Sequence, residues 1–567
     1  MRTPVTVSQQ AAGSGSATRT ERSDRAPIVL LLAAMLIWSA VLIYAGRGNI
    51  FYADEWHFVL DRNGWSDTSL LGPNNEHLSL VPALLYKALL PIAGLDNYWL
   101  FRLVGIATQL LCVSLLFTYA RRRVGDWAAV ALAILLLCLG LAWEDTLWPF
   151  QAAWFISISA GIGALLCLDR DSRRFDITAC ALVALGLASS GIGIPFAVGI
   201  SAELLARNDR RERVWITALP LVLFAAWAAL YGESSPIEWQ SIAILPLWVG
   251  TAAAGAVGAL FGIGLPLAWL LLAAAIAAVV RQLWKARQGN LRVLGLAIAV
   301  IGFWLTTGLA RDLNHGRPFY DSTLFTQPNQ SRYLYVGGAI LLLLAAELFR
   351  GTAPRGRQLA VIAVAVGLSV VLSVQPLFNE GRTRLHNNSE LLGGALAAVE
   401  LASDSVASDF PPEWRIATPI RAGAYLDAVR KYGSAAPSRA ELPALPENVR
   451  TLLDRTSQRA LDVKLALSTS QPWANDCQPV AGNSVVEFPL PAGGLVFAAG
   501  AAEIKIKARR FASDYSTTYL YRVKPQTTAR LRIPRDKSAR QWFVRPSSRL
   551  NYLVCYLASG SDQPRRR

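Results

Sequence analysis

The sequence predicts a polytopic α-helical membrane protein that ends in an extracytoplasmic α+β domain containing a β-sandwich. Three observations carry that expectation. Hydrophobic residues make up 53% of the 567 residues and the mean hydropathy is +0.34, too apolar for a water-soluble protein of this size. Apolar runs of about 17 to 22 residues recur along the first two-thirds, the length that crosses a hydrocarbon layer about 30 Å thick. From Val480 onward the pattern changes to short alternating segments broken by Gly, Pro, Asn or Asp, as in an antiparallel sandwich.

From the N-terminus, residues 1–24 are rich in Ser, Thr, Gly and Gln and read as a disordered cytoplasmic tail. The membrane part, 25–376, holds about eleven spans: 27–45, 98–119, 126–143, 152–168, 176–189, 192–206, 214–231, 263–281, 291–309, 333–349 and 359–376. The first has charge on both sides and no small-residue cleavage site, so it reads as a retained anchor. Lys and Arg mark the cytoplasmic side. With the N-terminus inside, one orientation puts the clusters around Arg122, Arg173, Arg210, Arg287 and Arg355 all on cytoplasmic connections. Two further apolar stretches, 77–93 and 241–261, would put three of those clusters outside if both crossed. They read instead as re-entrant or interfacial helices. The protein then sits in the cytoplasmic membrane with residues 377–567 outside, helical at 385–432 and β-rich at 478–560.

The net charge of +16 does not point to nucleic acid, because most Arg of the membrane part lies in short clusters between apolar runs. Cys112, Cys138, Cys167 and Cys180 fall inside spans, where a thiol behaves as a small apolar group. Cys477 and Cys555 flank the strand-rich region and fit a disulfide in an oxidising compartment; two free thiols are the alternative. No Cys or His spacing marks a structural metal. The excess of Arg over Lys and the abundant Ala match bacteria with GC-rich genomes.

Two outer loops, 46–97 and 310–332, carry most of the candidate chemistry. Asp54 and Glu55, in FYADEWHF, emerge just beyond the first span, where a lipid-borne substrate presents its head group. Glu76, His77 and Lys87 follow in the same loop. Glu144 and Asp145 form a second acidic connection, and Arg311, Arg317 and Arg332 belong to the late loop. Carboxylates can accept a proton and guanidinium groups can hold phosphate. Each has a plainer alternative: Glu76 and His77 as helix caps, Lys87 snorkelling, Glu144 or Asp145 at a helix end, Arg332 as an interfacial anchor. Trp56, Trp65, Trp99, Trp143 and Trp148 lie near outer boundaries and read mostly as aromatic-belt anchors.

A span followed by Asp54-Glu55, then an outer helix of the form H-x-x-x-x-P-x-L-L-Y from His77, resembles the GT-C glycosyltransferases. The approach Phe101-Arg102-Leu103, the Arg-rich turn after it, Glu144-Asp145, Asn75-Glu76-His77 and Ser331-Arg332-Tyr333 add to the likeness. It is nearest to bacterial polyprenyl-phosphate-sugar transferases of the protein-mannosyltransferase and aminoarabinose-transferase type, and covers residues 27 to 376. The resemblance implies a GT-C-like membrane domain in which Asp54 is the catalytic base. It implies that Glu55, Glu76, His77, Glu144 and Asp145 contact acceptor or sugar, and that Arg332, with Arg311, Arg317 and Lys87, holds the donor phosphate. The expected partners are a polyprenyl-phosphate-linked sugar, the bilayer, and a glycan, lipid or protein acceptor. No cofactor is required by it, and a divalent metal at the second acidic loop stays open.

The rival classes are a multi-span transporter or flippase of lipid-linked glycan, a glycan polymerase or ligase, and a scaffold displaying the outer domain. A transporter places paired charge within its spans or repeats its halves. Here the charge gathers in outer loops, which favours chemistry at the membrane surface.

Overall fold

The computed structural model describes residues 25–62, 64–233, 242–285, 290–309, 328–412, 420–468, 476–515 and 519–556. All eleven expected spans are helical: Ala26–Ala45, Trp99–Val124, Asp126–Leu137, Ala152–Leu168, Arg173–Ser189, Gly193–Ala206, Trp215–Tyr231, Leu265–Lys285, Leu291–Leu309, Ser331–Leu348 and Arg357–Pro376. Among the described residues, 7 helical stretches are long and apolar enough to cross a membrane. Rows of exposed Leu, Ile and Val, such as Leu36, Leu270 and Val364, cover the outside of the bundle, as a lipid-facing surface requires.

The two stretches set apart from the spans are helices as well. Leu80–Ala93 has 14 residues. At about 1.5 Å per residue it is too short to cross the hydrocarbon layer. Leu245–Phe261 meets Leu265–Arg281 at 102°. The corner is Gly262 at φ +65°, a left-handed conformation that glycine takes without steric cost. Close approach decides a second glycine: a Cβ on Gly140 would lie 1.8 Å from the Ser373 carbonyl oxygen, so only glycine lets these backbones meet.

Several arginines that read in the sequence as orientation signals are buried in an ionic network at their end of the bundle. Arg123 pairs with Glu347 and with Asp169 (3.0 Å), and Arg292 pairs with Glu203 and with the same Asp169 (3.2 Å). The Tyr119 hydroxyl donates to Glu347 at 2.5 Å. Five helices are thereby tied together by charge-assisted bonds in a low-dielectric setting, where each group needs its partners.

The boundary expected near residue 376 falls inside one continuous helical stretch, Arg357–Leu401, of 45 residues. A π-helical turn at Leu377–Arg382 joins its two parts. Beyond it come Ala422–Tyr432 and Glu447–Ala460, the latter outside the expected helical region. The strands then form two antiparallel sheets. One runs Leu465–Ser468, Thr528–Leu531, Leu495–Ala499, Tyr552–Tyr556, Asp476–Val480; the other runs Phe488–Pro489, Phe543–Ser547, Ile504–Arg509, Leu520–Val523. Alternating residues, among them Phe497, Ile504, Ile506, Val523, Val544 and Val554, fill the space between them. The first strand, Leu465–Ser468, begins before the expected β-rich region. Cys477 and Cys555 stand opposite each other on neighbouring strands and form a disulfide. Asp454 of Glu447–Ala460 accepts the backbone N–H groups of Arg510, Phe511 and Ala512, which fastens that helix to the sandwich.

Candidate active site

The first span ends at Gly46, and the chain turns back across the end of the bundle, where the Ile50 amide donates to Ser389 Oγ at 3.2 Å. Ala53 has φ 47°, an uncommon conformation for a residue with a Cβ. Asn75 (φ 47°) and Glu76 (φ 67°) share it, as the two turn residues of the hairpin Pro73–Asn74/His77–Leu78.

The turn at Ala53 sends Asp54 and Glu55 to different places. Glu55 is fully buried and accepts from the Tyr52 amide (2.8 Å), the Tyr86 hydroxyl (2.5 Å), the Tyr98 hydroxyl (2.8 Å) and Trp148 Nε1 (3.0 Å). Burial pushes its carboxyl up to about 7 although all four donors pull the other way. The expectation that Glu55 contacts acceptor or sugar is corrected: its oxygens are occupied by the protein's own donors, and its work is to hold the turn. Asp54 stays partly open and accepts from Asn75 Nδ2 at 2.8 Å.

Tyr52 is the meeting point of the remaining groups. Its ring stands edge-on to Trp148 at 5.7 Å, and its hydroxyl accepts from Asn388 Nδ2 at 3.4 Å. Burial raises its pKa, Glu144 and then Asp54 push the same way, and Arg332 opposes them. Arg332 Nε lies 3.8 Å from Glu144 Oε1, and the Glu144 amide donates to Ser331 Oγ at 2.9 Å, so the second acidic turn and the start of Ser331–Leu348 are joined. The arrangement offers a carboxylate for a proton and a guanidinium for an anion in one neighbourhood.

The other expected residues lie elsewhere. Asp145 is 2% exposed and points into the bundle beneath Glu144, so it does not face the open side. Glu76 is half-buried at the hairpin tip, and His77 packs against Gly191, whose added Cβ would come within 2.7 Å of its Nδ1. Lys87 donates to the Arg62 and Gly64 carbonyls and to Ser69 Oγ (2.9 Å). It lines a cavity of about 480 Å³ with Phe58, Arg62, Trp65, Lys431 and Tyr432. Its ammonium pKa is lowered by burial, then by the like charges of Arg62 and Lys431. Arg311 and Arg317 lie outside the described residues. Among the described residues no group of three or more His, Cys, Asp or Glu gathers to hold a metal ion. Sequence reasoning passes over Tyr52, Arg62 and Lys431, none of which stands in a motif; Tyr52 is within its reach only as a neighbour of the acidic pair.

No family model and no curated protein matches the chain. Among solved structures it is similar to ArnT from Cupriavidus metallidurans in the apo state, at 15% identity and TM-score 0.42, over 68% of this chain and 81% of that one. ArnT from the same organism bound to undecaprenyl phosphate gives 15% identity and TM-score 0.41, over 69% and 82%. The arabinofuranosyltransferase AftD from Mycobacteria gives 14% identity and TM-score 0.43, over 90% of this chain but 40% of that one.

Proposed function

We propose that the protein transfers a sugar, with inversion, from a polyprenyl-phosphate-linked donor to an acceptor hydroxyl at the outer surface of the cytoplasmic membrane. The observation that carries the reading is that Tyr52, two residues before Asp54, packs edge-on against Trp148 (5.7 Å) of the same acidic turn whose Glu144 meets Arg332 at 3.8 Å. Asp54 accepts the proton of the acceptor hydroxyl as its oxygen bonds to the anomeric carbon. On the opposite face the bond from that carbon to the phosphate oxygen breaks, and the lipid phosphate leaves with the electron pair. Arg332 stabilises that departing charge. Asn75 occupies Asp54 Oδ2 and leaves Oδ1 for the acceptor. Glu144 keeps the guanidinium oriented.

The Arg62, Lys87 and Lys431 cavity is a second place for the lipid phosphate, favoured by cations without a carboxylate in its lining. Membranes carrying wild type, Asp54→Asn, Arg332→Ala or Lys87→Ala, assayed with lipid-linked sugars, test both points. Asp54→Asn is expected to lose transfer by about 100-fold or more. Full transfer by that variant would overturn the mechanism, and accumulation of a small solute by wild-type vesicles without transfer would favour a transporter. The phosphate is assigned to whichever of Arg332 or Lys87 raises the donor KM when removed.

A further inference from the structure

The four-stranded sheet of the C-terminal sandwich buries one face and turns the other to solvent. Along Ile504–Arg509 the residues Ile504, Ile506 and Ala508 are buried, which leaves Lys505, Lys507 and Arg509 on the outward face. Arg545 stands directly opposite Lys507, and Arg522 directly opposite Lys505. Like charges directly opposite on neighbouring strands are destabilising, so this register costs the fold something. Lys524 extends the face past the end of Leu520–Val523. Among the described residues, acids that pair with these cations include Glu487, 2.7 Å from Arg509 and 3.9 Å from Arg545, and Glu503, 2.9 Å from Arg522. The cations stay in clear excess.

Two of them are held in place by aromatic rings. The Arg509 guanidinium lies 5.1 Å from the Tyr515 ring and 5.6 Å from Phe543, and Arg545 lies 4.2 Å from Tyr515. A stacked guanidinium loses less freedom when it meets an anion. Arg509 already donates to the Ala512 carbonyl (2.9 Å) and to Glu487 (2.7 Å), so the cations open to a ligand are those toward Lys505, Arg522 and Lys524. The cations stand in two cross-strand pairs, Lys505 with Arg522 and Lys507 with Arg545, each about 4.8 Å apart, a spacing on the scale of a single sugar unit. No large apolar side chain is exposed on the strands Ile504–Arg509, Leu520–Val523 or Phe543–Ser547, whereas a surface that inserts into a membrane needs such residues.

We propose that this face binds a polyanionic glycan, a polysaccharide bearing carboxylate or phosphate groups, lying across the strands. The proposal does not depend on the transfer reading, because binding is measured without donor or turnover. Full-length protein in nanodiscs of neutral lipid would be titrated with polygalacturonate and with uncharged dextran, at low and at high salt. The expected result is salt-sensitive capture of polygalacturonate, no capture of dextran, and about tenfold or greater weakening in Lys505→Glu/Lys507→Glu/Arg522→Glu. The neutral set Lys505→Gln/Lys507→Gln/Arg522→Gln should weaken binding less, with an unchanged melting temperature as the check on folding. Equal binding of dextran, or wild-type affinity in the charge-reversed variant, would overturn the proposal. So would capture of anionic-lipid vesicles with polygalacturonate left unbound.

Discussion

Glu55 is the residue whose replacement has the most direct consequences for the fold around the site. Removing its carboxylate in Glu55→Ala strands four donors that now lie 2.5 to 3.0 Å from its oxygens. The Tyr86 and Tyr98 hydroxyls can rotate toward other acceptors; the Tyr52 amide and the Trp148 indole N–H cannot. At about 1–3 kcal/mol for each orphaned buried donor, those two alone set a loss of about 2–6 kcal/mol. The carboxyl also links stability to pH. Unfolded, it loses its proton near 4.5, and folded it keeps it to about 7, so between these values the native state binds more protons. Stability therefore falls as pH rises through that window and levels off above it. The total is about 3 kcal/mol, at ~1.4 kcal/mol for each pH unit between the two values. Thermal unfolding of the purified protein, followed by tryptophan fluorescence, reads both effects, since Trp56 and Trp148 flank the site. Glu55→Gln should flatten this pH dependence. A Glu55→Ala melting point equal to wild type, or a Glu55→Gln profile that keeps the full wild-type slope, would refute the reasoning.

In steady-state assays, Asn75→Ala should lower the transfer rate about tenfold with the donor KM unchanged, because it frees Asp54 to leave its productive orientation. Asn75→Asp should be worse, as it sets a second carboxylate against the first. In thermal melts, Arg123→Gln should cost up to about 3 kcal/mol, because buried Glu347 is left with the half-exposed Arg350 as its cation while Asp169 keeps Arg292. Arg123→Met combined with Glu347→Leu should recover much of it. Cys477→Ser opens a loop whose ends are 78 residues apart. The chain-entropy relation puts that at about 4.5 kcal/mol, read as faster limited proteolysis of the sandwich.

The helices are legible in the sequence because burial in lipid leaves a long, uninterrupted signature: Ala26–Ala45 and Arg357–Pro376 follow their apolar runs within a residue or two. What escapes depends on contacts far apart in the chain. Arg123 and Glu347 are 224 residues apart, and nothing local distinguishes an Arg that faces cytoplasm from one that turns inward to a partner. The same limit governs the site. Asp54 and Glu55 are equivalent as letters, and only the left-handed backbone at Ala53 sends one to the surface and the other into the Tyr86, Tyr98 and Trp148 cage. Lys87 reads as a phosphate ligand at the membrane surface; the fold of the loop from Arg62 to Ser69 gives it its own cavity instead. Helix Glu447–Ala460 escapes because its apolar stripe is narrow, with Val449, Leu452 and Leu453 its buried aliphatics.

The unbroken helix from Arg357 to Leu401 has a consequence for the site. At ~1.5 Å per residue its 45 residues would measure about 67 Å if straight, more than twice the hydrocarbon layer. Its apolar first part, Arg357–Pro376, is of spanning length, and its second part, Thr383–Leu401, runs on to the C-terminal region. Between them Gly381 packs closely on Trp143, and in the second part Asn388 and Ser389 bond to Tyr52 and Ile50. The distal half of the helix is thus fastened beside Tyr52 by Asn388 and Ser389, and the C-terminal region that it carries is tied to the same short stretch of chain as Asp54.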